Sequence, residues 1–343
     1  MQVAAAGLLL LIAVAVGCAA LAYAATGLLK PLYARYALAR PNARSSHKAP
    51  TPQGGGIGIL AAMLAGLLVF AWLPAGQALR SPGYLALAVA ACLMSVVGAL
   101  DDIVSLSIRP RLAAQFAAAG LGLWAALPLV PAGLSVWGMT LMLPVLLIGH
   151  VWFINLSNFM DGIDGISVAQ FVPVAGTIAA LSVLGVVPTA DAAIAAALAG
   201  ALLGFAPYNR HVARLFMGDA GSLAIGLIAG WLLLRLALAG QPAAALILPL
   251  YYLADATLTL GRRLLRGENV TQAHRTHFYQ LATDLGWSVP AVTARIWWAN
   301  AGLALAGIAS VWFSGTPLKC LALAAAAAIV ARLLTALSRA PAQ

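Results

Sequence analysis

Apolar stretches of roughly 17–25 residues, each long enough to cross ~30 Å of hydrocarbon, recur along the whole chain. About eleven separate, centred near Val14, Ala65, Val89, Leu121, Val145, Ala180, Ala197, Ile228, Leu248, Leu305 and Ala326. Short polar stretches divide them, and no soluble domain or long linker intervenes. Backbone polar groups in lipid must be satisfied within the segment, which selects helices for spans of this kind. The pattern therefore predicts an all-α, polytopic integral membrane protein with about 11 transmembrane helices. Residues 1–343 read as a single membrane domain, and the longest polar stretch, 261–290, reads as a loop within it.

Composition sharpens this picture. Apolar residues make up 63% of the 343, charged residues only 8%, and the mean hydropathy is +0.97. A soluble domain carries about 25% charged residues. Cys18, Cys92 and Cys320 each fall inside an apolar run, far apart, and read as buried free thiols. The Ala-Tyr-Ala around Tyr23 resembles a signal cleavage site, but no Lys or Arg precedes Lys30, so the first run reads as a retained span with its N-terminus outside the cytosol.

Lys and Arg beside span ends mark the cytosolic side. With the N-terminus out, the inner segments are roughly 28–52, 101–111, 155–166, 207–219, 261–290 and the C-terminal tail. They hold sixteen of the nineteen cations once Arg295, early in the tenth span, is counted with them. Arg80, Lys319 and Arg235 are left for the outer side. The net charge of +10 fits this bias with attraction to anionic lipid, and the same cations can also hold anionic substrates. No basic domain leaves the membrane plane to meet a duplex, so nucleic acid is not an expected partner.

Of nine acids, eight fall on the same side: Asp101, Asp102, Asp161, Asp164, Asp219, Asp255, Glu268 and Asp284. Asp191, just after a Pro-Thr turn, is the exception and reads as an outer-face helix cap. Carboxylates at the edge of hydrocarbon are costly and mark functional sites.

Five segments carry candidate chemistry. Asp101-Asp102 ends the third span, followed by Arg109 and Arg111; a metal–phosphate site and a simple helix cap are both open readings. Asn155-Leu-Ser-Asn158-Phe-Met-Asp161-Gly162-Ile-Asp164-Gly165 repeats oxygen-bearing side chains every three residues, which a helix would align on one face. An oxygen-only set suits Mg²⁺, which binds few protein carboxylates and keeps waters or substrate phosphates. Gly218-Asp219-Ala-Gly221-Ser222 opens an apolar span, where Asp219 either caps the helix or presents a metal ligand; helix N-termini also favour phosphate. His274-Arg275-Thr276-His277 and Tyr279 lie in the 261–290 loop and suit an anionic, aromatic-faced ligand better than zinc, for which no partner ligand is suitably spaced. Upstream, Ser46-His47-Lys48 leads through Thr51-Pro-Gln-Gly54-Gly55-Gly56, read either as close helix packing or as a phosphate contact.

In this order and on one face, these segments resemble the polyprenyl-phosphate N-acetylhexosamine-1-phosphate transferase superfamily, glycosyltransferase family 4. The resemblance covers about residues 40–285 and is strongest in Asn155–Gly165, Gly218–Ser222 and the Asp101-Asp102 pair. The superfamily includes phospho-MurNAc-pentapeptide translocase and GlcNAc-1-phosphate transferases, and the His274–His277 form looks closest to the O-antigen-initiating branch. Ser105 stands where the translocase branch has the Lys of its DDxxK motif. The resemblance implies attack of undecaprenyl phosphate on the β-phosphorus of a UDP-N-acetylhexosamine, or a 6-deoxy derivative, with release of UMP. It implies Mg²⁺, or Mn²⁺ in its place, held by Asp219 and Asn158, with Asp161 and Asp164 nearby. Asp101 and Asp102 would position or deprotonate the lipid phosphate. Lys48, Asn155, Arg109, Arg111, His274, Arg275 and His277 would contact diphosphate and sugar. It implies a bacterial inner-membrane enzyme with a cytosolic active site, in lipopolysaccharide or related envelope-glycan synthesis, and leaves room for a homodimer. A transporter or lipid flippase is the rival from another class; its charges would lie near the bilayer midplane.

Overall fold

The computed structural model describes residues 2–39, 50–130, 135–270, 272, 274–313 and 315–341. Thirteen α-helices appear among them: α1 (Gln2–Tyr36), α2 (Gly55–Ala71), α3 (Pro82–Val104), α4 (Ile108–Ala126), α5 (Val136–Phe159), α6 (Ile166–Ala180), α7 (Thr189–Asn209), α8 (Asp219–Leu238), α9 (Pro242–Ile247), α10 (Leu250–Leu265), α11 (Phe278–Asp284), α12 (Val289–Trp312) and α13 (Thr316–Leu337). A two-residue antiparallel ribbon pairs β1 (Leu38–Ala39) with β2 (Thr51–Pro52).

Every apolar run is helical, but the runs are unequal. Among the described residues, eight helices are long and apolar enough to cross a membrane; a ninth is α2 joined to the 3₁₀ turn Pro74–Arg80, bent by 119°. The two remaining runs explain the difference from eleven. The run around Leu248 breaks at Pro249 into the short α9 and into α10, which carries Asp255, Arg262 and Arg263. The run around Leu305 is the unbroken α12, but it includes Arg295, Asn300 and three Trp.

Helix α8 forms the centre, with 89% of its apolar window buried, and α7 follows at 83%. Both are apolar all round, the signature of a helix enclosed by others. Around them, α3, α5 and α2 pack on α8, while α1, α6 and α2 pack on α7. Small residues allow the closest approaches. A Cβ at Gly98 on α3 would lie 2.2 Å from the Asp219 carbonyl, and one at Gly56 on α2 would lie 2.0 Å from Gly221 Cα. Gly55 and Gly56 also donate backbone hydrogen bonds to Phe216 and Met217 carbonyls. Close packing is thus what the Gly54–Gly56 run does here.

The polar residues separate to two ends of the bundle. The C-terminal ends of α3, α5 and α7 meet the N-terminus of α8 at one end. The other end holds Asp191, and there the expectation of an exposed cap is corrected. Asp191 is buried, accepting from Arg235 Nε at 2.6 Å and from the Tyr84 hydroxyl at 2.6 Å. Arg235, left for the outer side with Arg80 and Lys319, is buried at this same end beside Asp191. A buried carboxylate between lipid-embedded helices needs such partners, whereas a cap facing water would not. The thiols divide as well: Cys18 is buried, but Cys92 and Cys320 are exposed on helix surfaces. Single thiols are apolar enough for either setting.

The contact at Gly98 can be checked directly. Gly98→Ala is expected to cost about 1–3 kcal/mol by overpacking, read as a lower apparent Tm in detergent. Gly120→Ala, which meets nothing within 4 Å, is expected to leave Tm unchanged or slightly raised.

Candidate active site

The N-terminus of α8 organises the site. Its free N–H groups need acceptors, and α3 supplies them: Asp102 accepts from Asp219 N at 3.0 Å and from Ala220 N at 3.3 Å. Both Asp102 oxygens are thereby engaged in capping a neighbouring helix, and Gln53 Nε2 donates to the Asp102 carbonyl at 2.9 Å. Asp101 points elsewhere. Its carboxylate accepts from Arg111 at 2.6 Å and from Leu106 N at 2.6 Å, and it also reaches the Asp219 carboxyl. The pair therefore splits, one acid tying α3 to α8 and the other tying α3 to α4.

Asn158, in the last turn of α5, donates to Asp219 Oδ1 at 2.7 Å and to Ser222 Oγ at 2.9 Å. Helix α5 stops at Phe159, so Asp161 and Asp164 lie in the following turn rather than along a continued helical face. Asp161 accepts from Ser167 Oγ at 2.6 Å. Burial, together with the charges of Asp102 and Asp164, pushes its carboxyl up to about 7. Asp164 is buried and accepts from Ala213 N at 3.1 Å, with His211 Nδ1 at 2.8 Å. Asp102, Asn158, Asp161, Asp164 and Asp219 line one cavity of ≈ 190 Å³, closed by Gln53, Asn209 and the 216–218 segment.

The histidine loop stands beside this cavity. Asp255 on α10 accepts from the Phe278 N–H at 3.1 Å and pairs with His277 Nδ1 at 3.1 Å. Tyr279 stacks on His277 with centroids 5.8 Å apart, and its hydroxyl donates to the Phe159 carbonyl at 3.0 Å. That bond attaches the loop to the Asn158–Asp161 turn. The 261–290 stretch is more ordered than a plain loop. Buried Arg263 donates to Glu268 and to the Asn269 and Gln272 carbonyls, and α11 follows. Burial, then the neighbouring His277 and Arg263, hold the His274 imidazole down to about 4, so it is neutral at pH 7. Arg275 pairs with Asp284 at 3.0 Å.

Not every expected residue joins the cavity. Asn155 sits one turn deeper in α5 and is satisfied by a reciprocal amide pair with Gln115, at 2.7 and 3.2 Å. Three-residue spacing aligns it with Asn158, but the helix rotation turns it towards α4. Arg109 is exposed at the start of α4, and Arg111 is bound to Asp101. Lys48 lies outside the described residues. Conversely, Ser167 and His211 belong to the site although no motif marks them, and Gln53, within the Thr51–Gly56 run, joins it through its side chain. His211 carries one legible signal, a histidine in the polar segment that leads to Asp219.

The donor set is compatible with a hard cation. It is oxygen-only, with Asp102, Asn158, Asp161, Asp164 and Asp219 lining the same cavity. Among the described residues, no three His, Cys, Asp or Glu side chains form a ready-made metal cage. Mg²⁺ fits such a site, since it relies on substrate phosphates and water for its remaining ligands.

A family model described as glycosyl transferase family 4 matches residues 84–237, from the first turn of α3 to the last of α8. The chain is 30% identical to the decaprenyl-phosphate N-acetylglucosaminephosphotransferase of Mycobacterium leprae (strain TN), across 86% of this chain and 82% of the relative. It is 32% identical to the phospho-N-acetylmuramoyl-pentapeptide-transferase of Deinococcus radiodurans, across 73% and 82%. Identity is 27% to the "Probable undecaprenyl-phosphate N-acetylglucosaminyl 1-phosphate transferase" of Bacillus subtilis (strain 168), across 74% and 71%.

The raised Asp161 sets a pH dependence of stability. An acid whose folded value exceeds its unfolded one, ordinarily near 3.8, stabilises below that lower value, and the benefit is lost as pH rises through about 7. Protein treated with EDTA is therefore expected to gain apparent Tm between pH 7 and 4. Asp161→Asn, neutral throughout, is expected to remove several degrees of that gain; an unchanged profile would place the titration elsewhere.

Proposed function

The chain belongs to glycosyl transferase family 4, and on that basis we propose that it transfers an N-acetylhexosamine-1-phosphate, or a 6-deoxy derivative, from a UDP-sugar to undecaprenyl phosphate. The observation that carries this reading is the convergence of Asp102, Asn158, Asp161, Asp164 and Asp219 on one cavity at one end of the helix bundle. A transporter would hold its charged groups near mid-bundle; here they sit at the ends of the helices.

In the proposed reaction, a phosphate oxygen of the lipid attacks the β-phosphorus of the donor. The bond to the bridging oxygen breaks, and that oxygen leaves with its electron pair on UMP. Phosphoryl transfer of this type depends on in-line placement and charge neutralisation more than on covalent help. Asp219 and Asn158 would hold Mg²⁺, which when bound neutralises the diphosphate. Asp161, held near 7, is suited to accept the last proton of a monoprotonated lipid phosphate. It is better placed for this than Asp102, whose oxygens hold α8. His277, fixed by Asp255, and neutral His274 offer ring nitrogens to the sugar or diphosphate. Asp164 orients His211 at the cavity edge.

The positive-inside bias supports placing this end on the cytosolic side of the bacterial inner membrane. Polyprenyl phosphate acceptors appear in the names of two of the relatives described above. The His274-Arg275-Thr276-His277 form of the loop favours an O-antigen-initiating role.

Two substitutions separate the roles. Asp219→Asn is expected to lower UMP release from UDP-N-acetylhexosamine and undecaprenyl phosphate by about 10²-fold or more, with apparent Tm retained. Unchanged turnover would remove Asp219 from the metal site. Asp255→Asn, which loosens His277, is expected to raise the KM for UDP-sugar about tenfold, the cost of losing a supporting hydrogen bond, with a smaller effect on kcat.

A further inference from the structure

A second cavity lies at the end of the bundle opposite the carboxylates. It is a slot of ≈ 360 Å³, walled by apolar side chains such as Leu60, Met63, Leu64, Ala88, Ala91 and Ile228. It lies between α2 and α3, both of which pack on α8. Leu68 and Leu85 flank it and are 63% and 55% exposed, so it opens sideways, towards lipid. From Leu60 to Ala71 it follows α2 for about 16 Å, close to half of a ~30 Å hydrocarbon core.

The roof is polar in a particular way. At Ala71 the chain turns into the Pro74–Arg80 3₁₀ helix, which crosses the top of the slot. Arg80 Nε donates to the Ala71 carbonyl at 2.8 Å, and the guanidinium lies 4.9 Å from the centre of the exposed Trp72 ring. Its terminal nitrogens take no partner among the described residues. The neighbouring Arg235 does not compete as a cation, because Asp191 neutralises it. An aromatic ring and an arginine at the mouth of a slot one leaflet deep are the elements that bind an amphiphile at a membrane interface.

We propose that this slot binds an anionic glycerophospholipid of the leaflet opposite the carboxylate cavity. One acyl chain lies along α2 and α3, and the phosphate sits on the free nitrogens of Arg80. The one-leaflet depth matches an ordinary acyl chain, and the unpaired cation at the mouth selects an anionic headgroup. This site is separate from the transfer chemistry and does not depend on it.

The test is lipid retention by the intact protein. Protein taken from vesicles of equimolar phosphatidylglycerol and phosphatidylcholine would be released into mild detergent and weighed by native mass spectrometry. Wild type is expected to keep phosphatidylglycerol in about fivefold preference, the ratio set by one interfacial cation. Arg80→Gln is expected to abolish the preference, and Arg80→Lys to keep it. Ala88→Phe, which fills the slot, is expected to reduce retention of both lipids. Lys319→Gln makes the same charge change on α13 and is expected to leave the ratio alone. An equal drop in Arg80→Gln and Lys319→Gln would reduce the effect to diffuse surface charge and overturn the proposal. So would undiminished binding in Ala88→Phe, selective retention of added polyprenyl phosphate, or a dimer that Ala88→Phe dissolves. Apparent Tm near that of wild type in each variant shows that the fold survives.

Discussion

The fold depends on how a fully enclosed helix begins. Helix α8 runs through the centre of an apolar bundle, and its first N–H groups lack intrahelical acceptors. Asp102 reaches across from α3 to accept two of them. That contact requires α3 and α8 to touch, and Gly98 removes the side chain that would keep them apart, as Gly56 does between α2 and α8. The positive end of the α8 dipole then sits beneath a group of carboxylates. The capping of one helix and the gathering of negative charge are therefore one event. A site suited to phosphates and a cation is built where the backbone already needs acceptors.

Such a cluster is costly without its ligands. Asp161, Asp164, Asp219 and Asp102 share a small volume, and Asp161 is driven towards its neutral form by burial and by its neighbours. Of the cations at this end, three are already paired closely with acids outside the cavity: Arg111 with Asp101, Arg263 with Glu268, and Arg275 with Asp284. The excess negative charge is thus left for the proposed metal ion. The surrounding pairs shape the loops rather than neutralise the cavity.

Much of this is legible in the amino-acid sequence. Hydropathy identifies the helices, because period and length alone distinguish a membrane span. The one-sided distribution of acids marks the functional end, and Asn158, Asp161, Asp164 and Asp219 meet there. The differences have physical causes. Asn155 shares the three-residue spacing, but spacing cannot say where a helix stops turning its face to a cavity. Asp191 has the local sequence of a cap, which shows the turn before it and not Arg235, 44 residues away. The roles of Gln53 and His211 are hidden for the same reason: they come from partners far along the chain. The runs around Leu248 and Leu305 pass as spans on average hydropathy, which hides a proline break in one and clustered polar residues in the other.

The buried ion pair at the far end has a mechanical meaning. Helices α3, α7 and α8 are joined there through Tyr84, Asp191 and Arg235, and the same three helices end at the carboxylate cavity. A helix of 20 residues is about 30 Å long. A tilt of one degree at one end therefore displaces the other by roughly half an ångström, the tolerance that an aligned reaction geometry demands. The ion pair fixes the far ends of these helices, so a small shift there would be magnified at the carboxylate cavity.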